Sequence, residues 1–377
     1  MRIPRGASVL AAMAVAATSL LAFEGSVGAA TTATSTQHVT TITLKPAKAY
    51  RPKAQTGTTD DYHCTLMDPH VTRNSYITSS QFFPGSIEDH HAALFLVPPS
   101  IAAVARKHHS IGTTWTCFGE AALPGTTLAQ FLQSPFLSVW APGHGADTLP
   151  KGTGIPLLAG SLVIEQVHYN LLVGRKPVTD RLVLHTVPVT KAVLPLHLDL
   201  MLAPPDVPCP ASVVGPLCDR ATALANQGTR FGSNAVDYVN GIEEMCGHDP
   251  VSPPVGNSTS CDSTVGSTGY IVRTQAHMHL LGTSFTMVLN PGTPQAVTVL
   301  DVPNYNFHNQ KAYTPTAPIR VHAGDKVRIT CTYDPMLAQE LPTLRRVPPH
   351  FVTWGDGSSD EMCIGLAWTS KVLPPTH

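Results

Sequence analysis

Short apolar runs rich in Val, Ile, Leu and Thr recur along most of the chain, cut by Pro and Gly, and few of them carry the 3.6-residue spacing of a helix. In the first half the runs with strand character are Ser75 to Phe83, Ala92 to Val97, Thr113 to Phe118, Phe136 to Trp140, Ser161 to Val173 and Arg181 to Val187. Turn residues such as Pro98-Pro99, Pro124-Gly125, Pro142-Gly143 and Lys151-Gly152-Thr153-Gly154 separate them. Only Ile101 to His109 and Thr127 to Gln133 read as helical. The pattern starts again after Lys191, with Leu194 to Leu202, Tyr270 to Arg273, Ala276 to Leu289, Ala296 to Val302, Ile319 to His322, Lys326 to Tyr333 and Met362 to Thr369. Antiparallel strands at this spacing predict an all-β chain of β-sandwiches.

The ends and the joint of this pattern set the expected domains. Residues 1–30 pair a basic start with an apolar run from Ala7 to Phe23 and a small-residue stretch through Ala30, the form of a secretory signal rather than a membrane anchor. Residues 31–61 are rich in Thr and Ala with little patterning, which predicts a partly disordered tail. An N-terminal β-sandwich is expected over 62–190 and a C-terminal one over 191–377, the latter with a Cys- and Pro-rich insertion at 204–268.

Composition narrows the chemistry. A chain of 377 residues suits two domains, and its formal net charge of -1 offers no field for nucleic acid. No later stretch spans a bilayer without polar interruption, so stable membrane insertion is not expected. Eight cysteines in an exported chain suit disulfides better than zinc thiolates. With 18 histidines, a metal site is the first functional expectation.

Gln275-Ala276-His277-Met278-His279 places two imidazoles on one face of a strand, since side chains alternate, and there they can close on one ion. The same spacing also arises in structural positions. Adjacent His90 and His91 point to opposite faces of a regular strand and share a metal only at a strand end or a bulge. Lys107-His108-His109 is a second such pair, with flanking cations that suit solvent. Alternation puts Ile164, Gln166 and His168 on one face, where a lone histidine serves equally as core. Met362, by default a packing residue, becomes informative beside imidazoles, because thioether with imidazole selects copper.

Taken in order, these marks resemble the copper type II ascorbate-dependent monooxygenases, the family of dopamine β-monooxygenase and peptidylglycine α-hydroxylating monooxygenase. The resemblance runs from about Tyr62 to Thr369. It rests on Tyr62-x-Cys64, His90-His91, Trp140-Ala141-Pro142-Gly143, Gln166-Val167-His168-Tyr169 and Gln275-x-His277-x-His279-Leu280-x-Gly282. Val321-His322-x-Gly324-Asp325, Cys331-Thr332-Tyr333 and Ser359-Asp360-Glu361-Met362-Cys363 complete the set.

The resemblance implies two jelly-roll-like antiparallel β-sandwich domains in tandem with an interdomain copper cleft. His90, His91 and His168 would hold an electron-receiving copper, and His277, His279 and Met362 the copper where O₂ and a small-molecule substrate meet. Tyr62, Gln166 and Gln275 would surround these ligands. Ascorbate or another one-electron donor would be co-substrate, and bridges Cys64–Cys117 and Cys331–Cys363 are implied. The pairing of Cys209, Cys218, Cys246 and Cys261 stays open, as does the oligomeric state. Several positions depart from the family pattern. Ala92 stands where Met is usual, and Gln275, Ile364 and Leu366 stand where the peptide-hydroxylating branch has Arg, Asn and Tyr, so glycine-extended peptides are not expected. Two other readings are a copper carrier with degenerate sites and a blue-copper protein with Cys363 as thiolate ligand.

Overall fold

Residues 38–54, 60–117, 136–171, 174–355 and 357–374 are described by a computed structural model, and strands dominate them. The first half carries β1 (Thr40–Leu44), β2 (Asp60–Met67), β3 (Ser75–Phe83), β4 (Asp89–Val97), α1 (Pro99–His108), β5 (Thr114–Thr116), β6 (Phe136–Trp140), β7 (Asp147–Thr148), β8 (Thr153–Leu157), β9 (Leu162–Asn170), β10 (Arg181–Pro188) and β11 (Leu194–Pro195). They build one sheet ordered β5-β2-β9-β4-β6 and another ordered β1-β10-β3-β8-β11, with β7 on β3.

The second half carries β12 (His197–Leu202), β13 (Asp206–Val207), α2 (Arg220–Phe231), α3 (Ser233–Met245), β14 (Ser258–Thr264), β15 (Gly269–His277), β16 (Gly282–Leu289), β17 (Val297–Val302), β18 (Ala312–Tyr313), β19 (Ile319–Val321), β20 (Lys326–Tyr333), β21 (Val352–Thr353) and β22 (Ile364–Ser370). The sheets here are β12-β22-β15-β18 with β19 on β15, β14-β20-β16-β17, and the pair β13-β21. Alternation in β20 shows why these segments are strands. Val327, Ile329, Cys331 and Tyr333 are buried while Lys326 and Arg328 face out, where Arg328 bonds Asp262 of β14 at 2.6 and 2.8 Å.

No sheet among the described residues mixes strands from before and after Leu196. One apolar cluster does: Leu94, Leu137 and Leu184 share it with Val239, Leu366 and Trp368. The all-β class therefore holds, and residues 37–377 group as one unit around a core that crosses the expected joint.

Several expectations change in detail. The expected tail contains a strand, since Thr40–Leu44 pairs along β10 and buries Leu44. Leu194 to Leu202 is divided: β11 joins β8 in parallel, and β12 pairs with β22. Ala276 to Leu289 also breaks, because the Tyr305 hydroxyl takes both the amide (2.9 Å) and the carbonyl (2.7 Å) of Met278 and lifts the chain out of the ladder. The insertion is helical where turns were expected. Asp219 caps α2 by accepting from Thr222 N at 2.8 Å, and Val239 and Ile242 of α3 reach the core.

Four disulfides pin the described chain: Cys64–Cys117, Cys209–Cys218, Cys246–Cys261 and Cys331–Cys363. The first and last are those the resemblance implied. The signal at 1–30 and the helix at Thr127 to Gln133 lie outside the described residues. No helix among those described is long and apolar enough to cross a membrane.

Candidate metal centre

β9 is the middle strand of its sheet and presents His168 fully buried, between Tyr62 of β2 and His91 of β4. The β4–β9 register shifts between Asp89 and His91, so His90 and His91 together oppose His168. That irregularity is what two adjacent histidines need to turn to one side. His90 Nδ1 lies 3.3 Å from His168 Nδ1, and His91 Nε2 lies 3.0 Å from the same atom. The ligand atoms of all three residues fall within 4.8 Å of one another. Three nitrogens about 2.0 Å from one ion at tetrahedral angles stand about 3.3 Å apart, so this spacing fits a single metal.

The hydrogen bonds fix which nitrogens are free. Asp60 Oδ1 accepts from His168 Nε2 at 2.8 Å, and Ser358 Oγ is 3.2 Å from that nitrogen. The proton of the neutral ring therefore sits on Nε2 and the Nδ1 lone pair faces the other two rings. Tyr62 stacks on His168 with ring centres 4.2 Å apart and holds its plane.

The second set stands at the corner after β15. His277 and His279 have ring centres 5.2 Å apart, with His277 on the last strand residue and His279 beyond it. His277 Nδ1 donates to Gln310 Oε1 at 2.6 Å, and His279 Nδ1 donates to the Asp360 carbonyl at 3.0 Å. Both Nε2 lone pairs are thus left for a ligand role. Met362 lines the same small cavity as these two rings. Its amide bonds Glu361 Oε2 at 3.2 Å, and the next residue is the bridged Cys363.

Glu361 holds the corner. Its carboxylate accepts from the amides of His279 (2.8 Å) and Leu281 (2.6 Å) as well as Met362, tying both ligand segments to one buried side chain. Burial pushes Glu361 up to about 8 despite these bonds.

The two sets do not face each other across an open space. His91 and His277 have ring centres 6.4 Å apart, and Phe307 packs within 5.2 to 5.9 Å of His90, His91 and His279. His91 lines the small cavity together with His277, His279 and Met362, and Phe307 packs beside the histidines of both sets. Burial, then neighbouring imidazoles, push His90 down to about 2 and His91 well below its ordinary value. Burial, then His277, pushes His279 down to about 3, and burial lowers His277 as well. At neutral pH these four rings are uncharged, the form that binds metal.

Of the remaining expected residues, Gln166 lines the cavity and lies 3.7 Å from Cys117 Sγ, and Gln275 is buried two positions before His277. His109 is elsewhere, stacked on Trp115 with ring centres 3.6 Å apart. Sequence reasoning passed over Asp60, Phe307, Gln310 and Glu361. It also passed over His308, exposed and with its ring centre 5.2 Å from that of His90. Asp60 shares a β2 face with Tyr62 by alternation, so a signal existed. Phe307, His308 and Gln310 sit in a loop with no periodicity to flag them.

Residues 255–367 match the copper type II ascorbate-dependent monooxygenase, C-terminal domain. No curated protein matches the chain. Among solved structures, a fucolectin from striped bass serum is 6% identical over 84% of each chain with a TM-score of 0.17. Allantoicase is 9% identical over 78% of this chain and 86% of its own, with a TM-score of 0.19. Likeness at that level carries no argument. The matched span contains His277, His279 and Met362, and over that span the chain is similar to the C-terminal domain of the copper type II ascorbate-dependent monooxygenases.

Proposed function

We propose that the protein is a secreted dicopper monooxygenase that hydroxylates a C–H bond of a small organic substrate, using O₂ and an external one-electron reductant such as ascorbate. The observation that carries the reading is the tautomer pattern. Asp60, Gln310 and the Asp360 carbonyl each hold one ring proton outward, so the lone pairs of His168, His277 and His279 are left for metal. His90, His91 and His168 would hold the electron-receiving copper, and His277, His279 and Met362 the one beside substrate. Copper bound in these sites supplies one-electron redox chemistry toward O₂, and thioether with imidazole favours its reduced state.

The chain's own residues do the rest. The largely apolar wall of the cavity beside Met362 would disfavour water there, and Phe307 packs on His279. Glu361 and the Cys331–Cys363 bridge keep Met362 and His279 in fixed relation. The sheets of β1 to β11 and those of β12 to β22 would form the two jelly-roll-like sandwiches, built mainly from 62–190 and 191–377, with the ligand sets at their junction.

The test is turnover. Copper-loaded protein supplied with ascorbate and a substrate panel should take up O₂ in step with hydroxylated product. A carrier role is the second reading, favoured by the burial of the cluster and by a cavity of only about 70 Å³ beside it. Two bound coppers without coupled product on any substrate would select the carrier. The blue-copper alternative falls, because Cys363 is bridged to Cys331 and offers no thiolate.

A further inference from the structure

The cavity of about 70 Å³ beside His277, His279 and Met362 is walled by Ala93, Phe95, Phe136, Leu200, Trp354 and Leu366. Tyr62, His91, Gln166 and Tyr238 also line it, but among the described residues no Lys, Arg, Asp or Glu does, so a substrate's ammonium or carboxylate would lose its water there without an opposite charge to pair with. The space is also small, since a dry cavity that takes up benzene is about 150 Å³. A chain end fits where a whole ring-bearing molecule does not.

A second cavity of about 540 Å³ adjoins the first, and Phe136 and Leu200 form part of both walls. Leu96, Ile155, Leu196, Ile271 and Trp368 make its surface largely apolar. Its carboxylate, Asp199, has a side chain 43% exposed and accepts from Thr369 Oγ1 at 2.9 Å, so it stands at the solvent side.

We infer that the site takes an uncharged, elongated molecule with an apolar body, its end in the small chamber and the remainder in the larger cavity past Phe136 and Leu200. On the monooxygenase reading, on which this rests for the reaction though not for the binding, that molecule is the substrate. The reaction is then R–H + O₂ + two electrons + two protons giving R–OH + H₂O. The C–H bond breaks, a C–O bond forms, and two equivalents of the one-electron reductant are oxidised.

The test is a titration of the copper-free full chain with n-alkanols from butanol to decanol, and with octanoate and octylamine, followed by tryptophan fluorescence. Trp354 lines the small chamber and Trp368 the larger cavity, so decanol should change both signals, and Trp354→Phe and Trp368→Phe should each remove part of the response. Affinity should tighten about fourfold per methylene, and the charged probes should bind at least about tenfold more weakly than octanol. Leu200→Trp, which fills the shared wall, should weaken decanol about tenfold or more. Phe136→Trp replaces it where the melting transition is lost. Equal binding of charged and neutral probes, affinity indifferent to chain length, or decanol binding unchanged in both blocked variants would overturn the inference. Should the alkanols bind as expected while copper-loaded, ascorbate-reduced protein forms no product from any of them, the ligand class stands and the monooxygenase reading falls.

Discussion

Each ligand histidine is defined by what its other nitrogen touches. Asp60 on His168 is the strongest case, a carboxylate that sets the tautomer and the orientation of the ring. Asp60→Ala should weaken copper at the three-histidine site about 10- to 100-fold in competition with a chelator, while the second site keeps its affinity. Unchanged affinity at both would remove Asp60 from the site. Met362→Ile should preserve the fold and most of the copper at the three-histidine site yet lower hydroxylation about 100-fold or more, since a lost ligand costs at least as much as a lost orienting partner. Turnover at the wild-type rate would take Met362 out of the mechanism. These residues were legible in the sequence as types and spacings. For Asp60 the local signal was only its alternation with Tyr62 on β2, because its role depends on the neighbouring strand β9.

At the scale of elements, the informative places are where the ladders fail. His90 and His91 work together because β4 carries a register shift opposite His168, and His279 turns because the corner between β15 and β16 bonds to side chains instead of strands. Alternation predicted the strands on either side well, as in β9 and β20, because their buried faces fix the register. It could not predict the corner, whose amides are taken by Glu361 and Tyr305 from distant parts of the chain. Nor did it reveal α2 and α3, since their Gly, Asn and Thr content within a Cys-rich stretch masks the helical spacing of Tyr238, Val239 and Ile242. Glu361→Ala leaves three amides without their acceptor in a buried corner and should cost about 3 kcal/mol or more of unfolding free energy in urea. A loss below about 1 kcal/mol would show that the corner is held by the Cys331–Cys363 bridge instead.

The whole molecule encloses two opposing titrations. His90, His91, His277 and His279 are depressed from 6.5 by burial, so below that pH the unfolded chain binds protons the folded chain refuses, and stability falls as the pH drops. Glu361, raised to about 8 by burial, and Asp89, raised to about 8 by burial and by Asp180, act in the other sense. They are protonated in the fold and ionised when unfolded above about pH 4, so their contribution is full at low pH and is lost as the pH rises to about 8. Above pH 6.5 the histidines are neutral in both states, so the raised carboxylates, Glu165 and Glu243 among them, should make the melting temperature of metal-free protein fall from pH 6.5 to pH 8. A melting temperature that climbs steadily through pH 8 would contradict the burial of these carboxylates. The same enclosure brings two ligand sets of one chain within 6.4 Å, ring centre to ring centre, and the account depends on both being filled. The direct test is metal content per chain after copper loading and desalting, with His168→Ala and His109→Ala alongside. The account predicts about two coppers in the wild type and in His109→Ala and about one in His168→Ala. One copper or none in the wild type, or a loss in His109→Ala instead, would contradict it.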